Sequence, residues 1–118
     1  MKRQELIEKW LEALESGEYK QGDGILAKKQ GNATEFCCLG VACVVDGRSE
    51  KRLYKLAMLP ETMTKKLGIN YVGSFENPTL YRGKYYYSLA QANDLGVSFK
   101  AIAKIIRKNL AEGNFKAP

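Results

Sequence analysis

Histidine is absent from the 118 residues. Its absence removes Cys-His and Ser-His-Asp constellations together with the commonest general base, leaving only lysine or carboxylate arrangements for catalysis. Cysteine is sparse: Cys37 and Cys38 are adjacent, and Cys43 is the third. An odd count is a poor disulfide framework, and a Cys-Cys-x4-Cys run lacks the paired two-residue spacings of a tetrahedral zinc site. No metal is therefore expected, and the thiols are expected to pack in the core as small hydrophobes, as reduced cytosolic thiols do. Long apolar runs are also missing. A membrane helix needs roughly 20 consecutive apolar residues, and the stretch at Leu39 to Val45 is far shorter. The N-terminal segment alternates charged and apolar residues rather than forming a secretory signal, so the chain is expected to stay where it is made. The pair Gly22-x-Gly24 lacks both the Gly-Lys-Ser/Thr ending of a P-loop and the third glycine of a dinucleotide fingerprint, and no cofactor is expected.

What the sequence does contain fits one domain over residues 1–118, because 45% apolar content at this length builds a single core. The charge is unevenly spread. Residues 1–50 carry seven Lys/Arg against nine Asp/Glu, whereas residues 51–118 carry twelve against four. The basic second half attracts nucleic acid, nucleotides, anionic lipid heads or an acidic protein, or else simply solubilises the surface.

Periodicity predicts an α+β fold. Leu6, Ile7, Trp10, Leu11 and Leu14 recur at helical spacing, and Gly17 stops that helix. Strands near 25–29 and 35–37 form a hairpin about Gly31-Asn32, followed by a short, almost wholly buried helix from Cys38 to Val45, with a strand as the competing reading because Val41, Val44 and Val45 are β-branched. Residues 48–55 read as a loop or a mobile flap. Leu59-Pro60-Glu61 starts a helix that ends at Gly68, and Asn70 to Phe75 is extended. Pro78 breaks the chain before an aromatic hairpin, in which Leu80-Tyr81 and Tyr85-Tyr86-Tyr87 flank Arg82-Gly83-Lys84. Ser88 caps a short helix, and Ser98 caps an amphipathic C-terminal one with Phe99, Ile102, Ala103, Ile106 and Leu110 inward. The expected result is an N-terminal helix, short hairpins in a small antiparallel sheet, several short helices and a C-terminal helix.

Five of the seven tyrosines lie within seventeen residues, interleaved with cations: Tyr71, Tyr81, Arg82, Lys84, Tyr85, Tyr86 and Tyr87. Aromatic faces stack bases and cations meet phosphates, which suits a nucleotide or a single strand. The competing reading is a strand whose Tyr85 and Tyr87 pack the core with Tyr86 outside. Tyr19, Lys20 and Gln21 beside Gly22-x-Gly24 make a second nucleotide contact set, with a turn as the alternative. Asn93-Asp94 offers an orienting amide and an acid, or else finishes a helix and bonds backbone. The final helix carries Lys100, Lys104, Arg107 and Lys108 outward, as a nucleic-acid face or as a partner for the glutamates of helix 1 in a neighbouring copy, giving a homo-oligomer.

Three blocks, Gly17-Glu-Tyr-Lys-Gln-Gly-Asp-Gly-Ile-Leu, Phe36-Cys-Cys-Leu-Gly-Val-Ala-Cys and Tyr87-Ser-Leu-Ala-Gln-Ala-Asn-Asp-Leu-Gly-Val-Ser-Phe-Lys-Ala-Ile-Ala, resemble a family of small uncharacterised phage and prophage proteins. The resemblance spans about residues 6 to 106 and implies provenance in the bacterial cytoplasm without implying a mechanism. Small phage accessory proteins modulate host functions, and several unrelated ones sequester nucleotide immune signals in cationic, aromatic-lined pockets. The expectation is a binding protein rather than an enzyme. Its ligand site is expected at Tyr19, Lys20, Gln21, Tyr81, Arg82, Lys84, Tyr86, Asn93 and Asp94, and its partner is a small anionic nucleotide-like molecule, with nucleic acid or a host protein as the alternative.

Overall fold

The computed structural model describes residues 1–118 and has the α+β architecture that the periodicity predicts. Helix α1, Arg3–Ser16, buries Leu6, Trp10, Leu11 and Leu14 and is terminated by Gly17, whose φ of 78° is left-handed. Apolar residues three and four apart lie on one helix face, so this stripe closes over α2 and α6. Trp10 adds a polar anchor. Its Nε1 donates to the Cys38 carbonyl at 2.8 Å, so the largest core side chain also satisfies its one donor.

Strands β1 (Lys20–Gln21), β2 (Ala27–Gln30) and β3 (Ala33–Phe36) form a sheet in the order β1-β3-β2. β2 and β3 are the expected hairpin, with Ala27 opposite Phe36 and Gln30 opposite Ala33. β1 was not expected, and it runs parallel to β3, pairing Lys20 with Glu35 and Gln21 with Phe36. The sheet is therefore mixed rather than antiparallel. A two-residue strand has no periodicity of its own, and its pairing is fixed by the tertiary clamp described below.

Helix α2, Cys38–Val45, is buried from Cys38 to Cys43, and the Cys37 thiol accepts the Gly40 amide at its start. Gly40 is required by contact. A Cβ there would lie 1.9 Å from the Leu26 carbonyl oxygen, so the backbone entering β2 crosses directly against the helix.

Residues 48–55 are not a loop or flap: they hold the one-turn helix α3, Glu50–Leu53, with Leu53 buried. Tyr54 bridges Ala27, and the Leu26 amide donates to Leu56 O at 2.7 Å. Helix α4, Glu61–Leu67, buries Met63 and Leu67 and ends at Gly68. Strand β4, Ser74–Tyr81, pairs with β5, Lys84–Ser88. Pro78 does not break the chain. It sits inside β4 where the register shifts between Ser74 and Thr79, a bulge being the place where a strand tolerates a residue without an amide donor. The outer edge of β4 is met by the C-terminal segment: Glu76 N donates to Asn114 O at 2.8 Å, Lys116 N donates to Ser74 O at 2.9 Å, and Phe75 bridges Phe115.

Helix α5, Leu89–Asp94, is capped by Ser88, and α6, Phe99–Ala111, by Ser98. α6 buries Phe99, Ala101, Ile102, Ala103, Ile105, Ile106 and Asn109 and contacts α1, α5 and β4. The buried apolar side chains form one cluster of 29 residues.

Candidate functional site

The β4–β5 hairpin turns at Arg82 and Gly83, whose φ values of 48° and 79° are both left-handed. Two such residues in a two-residue loop match the strand twist, which is why Gly stands second. The register pairs Thr79 with Tyr86 and Tyr81 with Lys84. These four side chains therefore share one face, and it points toward α6, where Thr79 Oγ1 donates to the buried Asn109 Oδ1 at 2.9 Å. Tyr86 is the core-facing tyrosine, 7% exposed, whereas Tyr85 and Tyr87 are 58% and 60% exposed. This inverts the reading that placed Tyr85 and Tyr87 inside. Three consecutive tyrosines have no intrinsic phase, and the cross-strand register decides it.

Between this face and the α5–α6 elbow lies a groove of about 430 Å³, lined by Tyr81, Arg82, Lys84 and Tyr86 from the hairpin and by residues 95–98 and Ala101 from the helices. The Arg82 guanidinium lies 5.5 Å from the Tyr81 ring centroid and Lys84 Nζ lies 5.8 Å from that of Tyr86. Neither cation is ion-paired; the salt bridges of the chain engage Lys20, Arg48, Lys65, Lys66 and Arg107. No carboxylate lines the groove. Its helical wall is the start of α6, where Ser98 Oγ accepts the Ala101 amide at 3.2 Å. First-turn amides without intrahelical acceptors and the positive end of the helix dipole add to the two cations.

The other expected ligand residues lie elsewhere. Gln21 Nε2 donates to Asn93 Oδ1 at 3.0 Å and to the Val97 carbonyl at 2.8 Å. Asn93 also accepts the Cys38 amide at 3.0 Å and donates to Gly22 O at 2.8 Å. Asp94 Oδ1 accepts the Gly24 amide at 3.0 Å. Asn93-Asp94 thus clamps the Gly22-x-Gly24 turn, and the amide of Gln21 is spent on the same clamp. The depression beside it is lined by Asp23, Glu35 and Asp94, the wrong sign for phosphate. Lys20 is 3.5 Å from Glu35, and Tyr19 packs edge-on against Phe36 with ring centroids 5.6 Å apart. The structure brings Tyr81, Arg82, Lys84 and Tyr86 together and leaves Tyr19, Lys20, Gln21, Asn93 and Asp94 in a separate cluster, which meets the groove at Gly96 and Val97.

Lys100, Lys104 and Lys108 are exposed along α6 and unpaired, while Arg107 Nη2 donates to Glu15 of the same chain at 2.8 Å. That pair ties α6 to α1 internally. The residues sequence reasoning missed are 95–98 and Ala101. Ser98 was legible as a cap, but the approach of the hairpin to that cap carries no local signal.

The thiols are free and buried. Burial pushes Cys37 from the ordinary thiol value of 9.0 up to about 11 and Cys43 up to about 12, and raises Cys38 as well. Such neutral thiols are poor nucleophiles. No three Cys, Asp or Glu side chains converge as a metal ligand set, and no helix is long and apolar enough to cross a membrane.

Fold and groove together define a small α+β protein with a cationic, tyrosine-walled groove at a hairpin tip. The chain belongs to the family described as Domain of unknown function (DUF8296), whose model matches residues 1–110. No curated protein and no solved structure matches it.

Proposed function

We propose that the protein is a phage-encoded binding protein that captures a small anionic, nucleotide-like ligand in the hairpin groove, and that it acts in the cytoplasm of the bacterial host by sequestering a nucleotide-derived signal. The observation that carries this reading is the pair of cations, Arg82 and Lys84, held over tyrosine rings without any carboxylate partner at the start of α6. Phosphate oxygens meet the guanidinium, the ammonium and Ser98, and a base or ribose packs on the Tyr81 and Tyr86 side of the groove. The groove volume falls within the range of small-molecule sites.

The test is a thermal-shift screen against cyclic dinucleotides, cyclic trinucleotides and ADP-ribose derivatives. A ligand at 100 times its Kd stabilises the native state by about 2.7 kcal/mol, and the shift is expected to vanish in Arg82→Gln/Lys84→Gln. Recovery of unaltered ligand from the denatured complex supports capture over turnover. A shift that persists in the double variant overturns the assignment.

A second reading rests on the exposed, unpaired stripe Lys100, Lys104 and Lys108, one helical turn apart. Phosphate contacts by three lysines give a salt slope of roughly −3. DNA binding with that slope, abolished by changing the three lysines to Gln, favours a nucleic-acid factor. Association of copies through this stripe and the α1 glutamates is read from mass in solution as salt is varied.

A further inference from the structure

A second pocket, of about 350 Å³, shares no residue with the hairpin groove and is lined chiefly by Arg48, Ser49, Arg52, Leu53, Leu56 and Pro60. Its charge balance is unusual. The nearby carboxylate Asp46 has a side chain only 5% exposed and is held at 2.8 Å by Lys66, leaving Arg48 Nε at 3.5 Å. That Nε is buried without a hydrogen-bond partner. The Arg48 guanidinium makes one hydrogen bond within the chain, from Nη2 to Thr62 Oγ1 at 2.7 Å, and the Arg52 side chain has no ion-pair partner. Glu50, between them in sequence, is occupied elsewhere by Thr34 Oγ1 at 3.0 Å. Each guanidinium has five N–H donors in a fork matched to oxyanions, so most of this capacity is unused.

The walls are held in place. Tyr54 bridges Ala27 and Leu56 O accepts the Leu26 amide. Between these two anchors Lys55 is left-handed at φ 72°, a conformation that costs a non-glycine residue about 1–3 kcal/mol and persists only where its surroundings fix it. A strained, pinned segment thus forms the rim of a doubly cationic pocket with an apolar side.

We infer that this pocket binds the phosphate monoester group of a small organic molecule. Arg48 and Arg52 clamp the phosphate oxygens, Ser49 donates its hydroxyl, and Leu56 and Pro60 pack against the carbon portion of the ester. A phosphate monoester carries a charge of about −1.5 to −2 at neutral pH. Asp46 is shared between Lys66 and Arg48 and Arg52 is unpaired, so these four groups leave two positive charges in excess, which the monoester matches and a carboxylate matches only by half. The inference is independent of what fills the hairpin groove.

Calorimetric titration of the full chain with phenyl phosphate, inorganic phosphate and benzoate tests it, in the Arg82→Gln/Lys84→Gln background so that the hairpin cations do not compete. Phenyl phosphate is expected to bind at one site more tightly than inorganic phosphate or benzoate, and Arg52→Gln is expected to weaken it at least tenfold. Arg52 is exposed and its side chain makes no hydrogen bond or ion pair, so this variant leaves the fold intact, and unchanged far-UV dichroism checks that. Absence of binding at millimolar phenyl phosphate, equal binding of benzoate, or a Kd unaffected by Arg52→Gln each overturns the proposal.

Discussion

Asn93 and Gln21, 72 positions apart, are joined at 3.0 Å by their side-chain amides, and the same Asn93 oxygen takes the Cys38 amide at the start of α2. One 2% exposed side chain therefore ties β1, the glycine turn and α2 to α5. Asn93→Ala removes these bonds and leaves the buried Cys38 amide without an acceptor. The expected cost is about 2–4 kcal/mol, read as a lower urea midpoint at unchanged slope. A loss below about 1 kcal/mol would show that the clamp is incidental.

Gly40 is tested by the smallest possible change. Gly40→Ala puts a methyl 1.9 Å from Leu26 O, and that carbonyl belongs to buried backbone, so it does not move aside cheaply. A destabilisation of at least about 3 kcal/mol, or failure to fold, is expected. Gly17→Ala is the control, since a Cβ there meets nothing within 4 Å and only the left-handed backbone resists it; it is expected to cost about 1–2 kcal/mol.

Arg82 sets stability against binding. It occupies a left-handed turn position that favours Asn or Gly, so Arg82→Asn is expected to stabilise the hairpin by about 0.5–1 kcal/mol. The same change removes a groove cation and is expected to weaken an anionic nucleotide about tenfold. Denaturation and calorimetry on one variant then move in opposite directions. A variant neutral in both measurements would remove Arg82 from the site.

The thiols predict an alkaline limit. An unfolded thiol ionises near 9.0, whereas burial holds Cys37 to about 11 and Cys43 to about 12. The unfolded chain releases these protons first as pH rises. Stability from the neutral thiols is therefore complete below about pH 9 and is lost as pH climbs through the folded values, by about 1.4 kcal/mol per unit for each group. Cys37→Ser keeps a side-chain acceptor for the Gly40 amide and removes one titration, so its stability is expected to fall less steeply between pH 9 and 11. At neutral pH an aromatic disulfide reagent is expected to label the thiols only after unfolding.

Elements written in local pattern were legible. The stripes of α1 and α6, the Ser88 and Ser98 caps, the stop at Gly68 and the hairpin about Gly83 all carry their signals within a few residues, although Lys84 belongs to β5 and not to the turn. What escaped depends on distance. The pairing of β1 with β3, the inward rotation of Tyr86 opposite Thr79, and the clamp of Asn93 on Gly22 O are decided by partners far along the chain. The expected site divides the same way, four of its nine residues lining the groove. Tyr81 to Tyr86 share a hairpin, so their proximity was readable; that Asn93-Asp94 finishes a helix and bonds backbone was the stated alternative, but its distant partners Gly22, Gly24, Cys38 and Gln21 carry no local signal.

The C-terminal segment that meets β4 has a consequence for how copies of this chain avoid one another. A ribbon of two strands has two open edges, each a template for a foreign strand. Residues 114–116 occupy the start of the β4 edge with backbone bonds at Ser74 and Glu76, and Tyr87 N on β5 donates to the Gln91 side chain at 2.6 Å. The last residues thus guard the ribbon that carries the groove. A chain lacking them is expected to keep its helices but to offer the β4 edge to a neighbouring copy as a strand template.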